Sequence, residues 1–306
     1  MKRDLLTLRD LTVEEIHYLL ARARHLKEDW RAGKLEPSLN RKVLGMIFVK
    51  PSTRTRVSFE AAMYRLGGQC IFMTEKDSQI SRKEPLADMA RVLSRYVDAI
   101  AVRTFAHDDV EELARFASVP VINGLTDLFH PCQILADLMT IEEKRGSLEN
   151  LKVAWIGDGN NVAHSWINAA ALLGFTLSLA CPEGYLPDSA ILGRAQSEVP
   201  GKILLTQNPR GAAASADVLY TDVWASMGQE EEADARMKVF RGYQINRELL
   251  ASASPDALVL HCLPAHRGEE ITEEVLEGPQ SVVFDEAENR LHIQMALLEW
   301  LLCGKK

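Results

Sequence analysis

The sequence predicts an α/β protein of two domains, each a parallel sheet flanked by helices. Three observations carry that prediction. The chain has 306 residues, a length that favours two domains of about 150 residues each. Short apolar runs of buried-strand type alternate with helical stretches, which argues for a parallel sheet covered on both faces. The alternation then pauses at Arg145-Gly146-Ser147 and starts again.

The elements read in order. Thr12-Val13-Glu14-Glu15 is a capping box, so a helix runs from there to about Gly33. Val43–Val49 is an unbroken apolar run, as expected of a strand buried on both sides. The polar turn 50–55 leads into a helix through Leu66, stopped by Gly67-Gly68. Cys70–Met73 is a strand, 75–84 a loop, Leu86–Tyr96 a helix and Ala99–Val102 a strand. Val110–Phe116 is helical, Val119–Ile122 a short strand, and Pro131–Lys144 a long helix. The second series has strands at Val153–Ile156, Leu177–Ala180, Val218–Tyr220, Ala257–Leu260 and Val282–Phe284.

Composition excludes several classes. Apolar residues make up 47% and charged residues 25%, so the chain can bury a core and is not disordered. The net charge of −8 disfavours wrapping nucleic acid, and no apolar run approaches the length of a membrane span. Basic residues near Met1 are followed by no apolar segment, so no signal peptide is expected. The five cysteines form no CxxC pair, which speaks against a disulfide framework or zinc ribbon and for a reducing cytoplasm.

Ligand sites in open parallel sheets gather at the carboxyl ends of strands, so the residues following each strand matter most. After the first comes Lys50-Pro51-Ser52-Thr53-Arg54-Thr55-Arg56. Hydroxyls and arginines at a helix N-terminus suit phosphate or another oxyanion. Plain N-capping explains one hydroxyl but not the cluster, and no GxxxxGK[ST] loop is present. Arg103-Thr104 follows another strand, and Phe129-His130-Pro131-Cys132-Gln133 opens the long helix, with Pro131 suited to its first position. His130 there either polarises a carbonyl oxygen or satisfies local backbone groups.

In the second half, Gly157-Asp158-Gly159-Asn160-Asn161-Val162 begins like a dinucleotide fingerprint, but Val162 stands where the third glycine belongs. The turn is expected instead to present Asn160 or Asn161 to a small ligand. Asp222, in Asp222-Val223-Trp224-Ala225-Ser226-Met227-Gly228, either holds a cationic amine or caps a helix. His261-Cys262-Leu263-Pro264-Ala265-His266 raises zinc or a thiol nucleophile, yet no further ligands complete a metal spacing nearby. No metal or organic cofactor is expected. The pattern points to a phosphate compound in one domain, an amine in the other, and a reaction in the interdomain cleft.

These segments resemble the aspartate and ornithine carbamoyltransferases. Ser52–Arg56, Arg103 and His130–Gln133 look like that family's carbamoyl-phosphate site, while Asp222–Gly228 and His261–Pro264 look like its ornithine branch. The resemblance implies that Ser52, Thr53, Arg54, Thr55, Gln79, Arg103, His130, Pro131, Cys132, Gln133, Cys262, Leu263 and Arg290 bind carbamoyl phosphate. It implies Asn161, Asp222, Ser226 and Met227 for ornithine, and Arg103, His130, Asp222 and Cys262 as the catalytic set. It also implies a carbamoyl-phosphate domain of residues 1–145 joined by a C-terminal helix of about 288–306, and an ornithine domain of residues 146–287. The substrates implied are carbamoyl phosphate and L-ornithine, giving L-citrulline in arginine metabolism. The implied assembly is a homotrimer in which Gln79 reaches a neighbouring subunit's site.

Overall fold

The computed structural model describes residues 2–75, 84–225 and 232–304. The chain divides into two compact units, Met1–Met139 with Glu288–Lys306, and Thr140–Ala287.

The first unit holds a parallel sheet of β1 (Val43–Phe48), β2 (Gln69–Thr74), β3 (Ala99–Arg103) and β4 (Val121–Leu125), in the order β2-β1-β3-β4. The two central strands are buried along nearly their whole length, which is why they read as continuous apolar runs. The helices are α1 (Val13–Arg31), α2 (Thr53–Arg65), α3 (Leu86–Leu93), α4 (His107–Phe116) and α5 (Pro131–Arg145), the last running on past Met139. Thr12 and Glu15 cap α1 reciprocally. One core layer packs Ile47, Ile100 and Val102 of the sheet against Met89, Val110 and Leu113. Burying side chains of this size stabilises by about 1.5–3 kcal/mol each. The strand expected from Val119 begins only at Val121, because Pro120 has no N–H for the ladder; its carbonyl still accepts from Ile100.

The second unit holds β5 (Lys152–Ile156), β6 (Thr176–Ala180), β7 (Ile203–Thr206), β8 (Val218–Thr221) and β9 (Leu258–His261), all parallel, in the order β7-β6-β5-β8-β9. Its helices are α6 (Asn161–Leu173), α7 (Ser189–Glu198), α8 (Pro209–Ala213), α9 (Ala233–Phe240), α10 (Arg247–Leu250) and α11 (Glu273–Leu276). Trp155 and Tyr220 stack at 5.4 Å, and Trp166 meets Tyr220 edge-on at 5.5 Å, filling one face of the sheet. Ala154, Ile156, Leu219 and Val259 pack with Trp224 and Phe240 in the other main cluster.

One expected strand is absent and one observed strand was not expected. Val282–Phe284 is not a strand. Val282 donates one ladder bond to the Val259 carbonyl, and α12 (Val283–Cys303) then starts. Asp285 and Glu286 in its first turn favour a helix N-terminus, and Phe284 is exposed. The strand β7 had no expectation at all: it is a four-residue edge strand, only partly buried, so it lacks a long apolar run.

Both sheets have a switch point. In the first, the chain leaves β1 toward one edge and β3 toward the other; in the second, β5 and β8 do the same. At such a point the loops part and leave a crevice at the strand ends. The segments 49–53 and 104–106 flank the first, and 157–160 and 222–225 flank the second.

Candidate functional site

In the first unit, Ser52 is the N-cap of α2, its Oγ accepting from Thr55 N at 3.2 Å. Capping thus accounts for this one hydroxyl's acceptor role and leaves its own hydrogen to donate. Arg56 turns to Glu60 at 2.9 Å and lies over the Phe72 ring, so it serves the surface. Thr55 is buried and accepts from Arg290 Nη2 at 2.7 Å. Arg290 Nη1 donates to Gln133 Oε1 and lies 3.5 Å from His130 Nε2. Residues from α2, the start of α5 and α12 therefore meet at the end of the first sheet.

His130 is buried and its pKa is held well below the ordinary histidine value. Burial is the largest cause, followed by the guanidinium groups of Arg290, Arg103 and Arg54. Three positive charges therefore act at one imidazole, which stays neutral at physiological pH. A neutral ring can donate an N–H to a carbonyl oxygen without itself carrying charge.

Pro131 is the first residue of α5, and Gln133 lies in its first turn. Gln133 is fully buried, and its Nε2 donates to Asp137 Oδ1 at 2.8 Å. Together with Arg290 on the other end, this assigns the amide's orientation. Asp137, one turn along α5, went unassigned from sequence; its i,i+4 spacing from Gln133 was the available signal. Cys132 is buried, its Sγ lies 3.5 Å from the Asn123 carbonyl, and burial pushes its thiol up to about 12. It stays a thiol at neutral pH and is no nucleophile.

In the second unit, Asp222 is buried just past β8. Its Oδ2 accepts from Asn160 Nδ2 at 2.8 Å, and its Oδ1 from Val223 N at 2.8 Å and from Cys262 Sγ at 3.1 Å. Asn160 is also the N-cap of α6, with its Oδ1 accepting from Val162 and Ala163. Asn161 is the first residue of that helix. The glycines of the fingerprint-like turn have a local cause. Gly157 sits at φ +142°, and a Cβ on Gly159 would fall 2.2 Å from Pro187 N. The GxG spacing is therefore accounted for by chain conformation and close packing.

Leu263 has φ +57°, and its N–H donates to His261 Nδ1 at 2.9 Å. The fully buried His261 must then carry its hydrogen on Nε2, which faces Glu270 Oε1 at 3.0 Å. Glu286 accepts from His261 N and from the Tyr220 hydroxyl. Glu286 was missed from sequence because it lies 25 and 66 positions along the chain from the groups it holds, and Glu270 because no local pattern marks the turn that returns it to His261. Asp222, His261 and Cys262 place possible ligand atoms within 4.8 Å of one another. Both ring nitrogens of His261 are already committed, so a metal would have to break that arrangement. Gln79, Ser226 and Met227 lie outside the described residues.

The chain matches two family models. Residues 3–143 match the carbamoyl-P binding domain of aspartate/ornithine carbamoyltransferase, and residues 149–301 match its Asp/Orn binding domain. An ornithine carbamoyltransferase of Desulfotalea psychrophila is 60% identical over 302 residues, covering 99% of this chain and all of that one. The solved ornithine carbamoyltransferase of Pyrococcus furiosus superposes with a TM-score of 0.95 at 53% identity, covering 100% of this chain and 98% of that one. The anabolic ornithine carbamoyltransferase of Campylobacter jejuni gives 0.93 at 42% identity, with full coverage of both chains. With models matching nearly its whole length and a fold shared at this identity, the chain belongs to the aspartate/ornithine carbamoyltransferase family.

Proposed function

We propose that the protein transfers the carbamoyl group of carbamoyl phosphate to the δ-amine of L-ornithine, giving L-citrulline and phosphate. The observation that carries this reading is the meeting of Arg290, Thr55, Gln133 and the buried His130 at the end of the first sheet, with the positive charges of Arg103 and Arg54 also holding the His130 pKa down. That combination suits a phosphate joined to a polarisable carbonyl. Relatives of 53–60% identity that bear the ornithine carbamoyltransferase name supply the second substrate.

In this reading Ser52, Thr53, Arg54 and Thr55 hold the phosphate at the α2 N-terminus, where backbone N–H groups and the helix dipole favour an anion. Arg103 bridges phosphate and carbonyl oxygen, and Thr55 and His130 also donate to that oxygen. Gln133, oriented by Asp137, receives the carbamoyl nitrogen, and Arg290 adds a further contact. Pro131 and Cys132 contribute through the backbone. Asn161 and Asp222 bind ornithine, joined by Ser226 and Met227. Cys262 and the Leu263 carbonyl face the reacting groups. The deprotonated amine attacks the carbonyl carbon, forming a C–N bond and a tetrahedral oxyanion. The C–O bond to phosphate then breaks, phosphate leaves with that electron pair, and one proton leaves the nitrogen. Donors aimed at the developing oxyanion are usually the largest catalytic contribution. No step in this scheme requires a cofactor.

The reading assigns carbamoyl phosphate to residues 1–145 with the C-terminal helix, and ornithine to residues 146–287. It includes a homotrimer in which Gln79 serves a neighbouring site, a cytoplasmic location and a role in arginine biosynthesis. The anabolic Campylobacter jejuni relative supports the last of these. No helix among the described residues is long and apolar enough to cross a membrane.

The test offers carbamoyl phosphate with ornithine, aspartate, putrescine or N-acetylornithine in parallel. Citrulline from ornithine alone is the expected result. Product from another amine only would overturn the second-substrate assignment, and binding of carbamoyl phosphate without any product would overturn the transfer itself.

A further inference from the structure

We propose, resting on the transfer reaction above, that Arg236 is a positioning residue for ornithine: it ties the turn after β5 to the turn after β8 and so fixes Asp222. Arg236 lies on α9 and is 6% exposed. Its Nη1 donates to Asp158 Oδ2 at 2.8 Å and to the Trp224 carbonyl at 2.9 Å. Its Nε donates to Glu232 at 3.2 Å, and the guanidinium lies 4.7 Å from the Tyr185 ring centre.

These contacts close a ring across the second switch point. Asp158 leads through Gly159 to Asn160, whose Nδ2 holds Asp222 Oδ2 at 2.8 Å. Asp222 leads through Val223 to Trp224, whose carbonyl returns to Arg236. The paired register of β5 and β8 ends at Trp155 and Tyr220, so no ladder holds the two turns beyond it. Side chains do so instead: Thr221 Oγ1 donates to the Ile156 carbonyl at 2.6 Å, Asn160 reaches Asp222, and Arg236 spans the rest. The Asp158 carbonyl is also held, by Trp155 Nε1 at 2.9 Å. A planar guanidinium with several fixed donors suits such a cross-link, whereas an ammonium is a point charge.

Charge makes the choice of partners informative. Arg236 faces two carboxylates, Asp158 and Glu232. Its positive charge is therefore matched before it reaches Asp222, and Asp222 remains available to a cationic amine. Burial raises the Asp158 pKa and Arg236 opposes that rise, so removal of Arg236 would leave a buried carboxyl without its counter-charge.

The experiment compares Arg236→Gln, Asp158→Asn and the double variant with the native protein. Readouts are KM for ornithine, kcat, and the Kd of carbamoyl phosphate. Hydrogen bonds to charged groups are strong enough that losing this ring should raise the ornithine KM about tenfold or more. Carbamoyl phosphate should bind within about twofold of native, because all of its assigned residues except Cys262 and Leu263 lie in the other unit. The double variant should be no worse than Arg236→Gln within about twofold, since one cut already opens the ring. A loss of thermal stability is expected either way, whereas a purely structural role would affect both substrates alike. An unchanged ornithine KM in a folded Arg236→Gln variant overturns the inference, as does a parallel loss for both substrates. If Arg236→Gln does not fold, an unchanged ornithine KM in Asp158→Asn overturns it. Failure of the native protein to form citrulline overturns the transfer reading and this inference together, whereas native turnover with unchanged variants overturns this inference alone.

Discussion

At Gln133 and His130, single hydrogen bonds and charges decide the chemistry. Asp137→Ala should leave the buried Gln133 amide free to turn and one donor unmatched, a loss of about 1–3 kcal/mol. The expected result is a rise of about tenfold or more in the carbamoyl phosphate KM, with the ornithine KM little changed. Equal KM values for native and variant would show that Asp137 does not orient the amide. Elsewhere in the first unit, His292 is buried beside Lys27, Arg65 and Glu288, and its pKa is pushed down to about 4. Burial is the main cause and Lys27 the next. The unfolded chain therefore binds this proton more tightly than the folded one. The stability due to neutral His292 is fully present above about 6.5 and is lost as pH falls toward 4. His292→Gln should flatten that part of the slope in urea midpoints taken from about pH 7 down to about pH 4.5. Parallel slopes in the two proteins would argue against it.

At the scale of elements, tight turns carry the site, and their packing is testable apart from activity. Gly159 lies where a Cβ would sit 2.2 Å from Pro187 N and 2.4 Å from Leu186 C, both backbone atoms. Gly159→Ala must displace the turn or the 186–187 segment, at a cost of about 1–3 kcal/mol. Thermal or chemical denaturation should show that loss, and ornithine affinity should fall with it because Asn160 is the next residue. A variant as stable as the native protein would mean that the close approach relaxes freely. The α2 N-terminus offers a second test. Thr55→Val keeps the bulk but removes the oxygen that Arg290 Nη2 contacts at 2.7 Å. A weaker affinity for carbamoyl phosphate is expected by calorimetry, with the helix retained by circular dichroism.

For the whole molecule, ligand binding and assembly are the relevant measurements. Carbamoyl phosphate at about one hundred times its Kd should stabilise the native state by about 2.7 kcal/mol. A midpoint that does not move with carbamoyl phosphate would contradict its binding to the native chain. Sedimentation should show a species of three chains if the proposed homotrimer is correct, and a single-chain species at working concentrations would rule it out.

Local pattern by itself determined the alternation of strands and helices, the capping of α1 and the candidate segments at strand ends. These features depend on neighbours within a few residues, so periodicity, capping boxes and turn glycines express them directly. The same locality misled at Val282–Phe284, where three apolar residues look like a strand but the acidic residues beyond them open α12. It also left β7 unseen, because a short, partly buried edge strand has little apolar pattern. Only the tertiary structure decided which segments meet. Arg290 reaches Gln133 across 157 positions and Thr55 across 235, and Arg236 reaches Asp158 across 78. Such pairings depend on the strand orders β2-β1-β3-β4 and β7-β6-β5-β8-β9, which bring distant strand ends side by side, and on where α12 and α9 pack against those ends. That order is set by how whole elements pack and cross over, and no window of a few residues contains it.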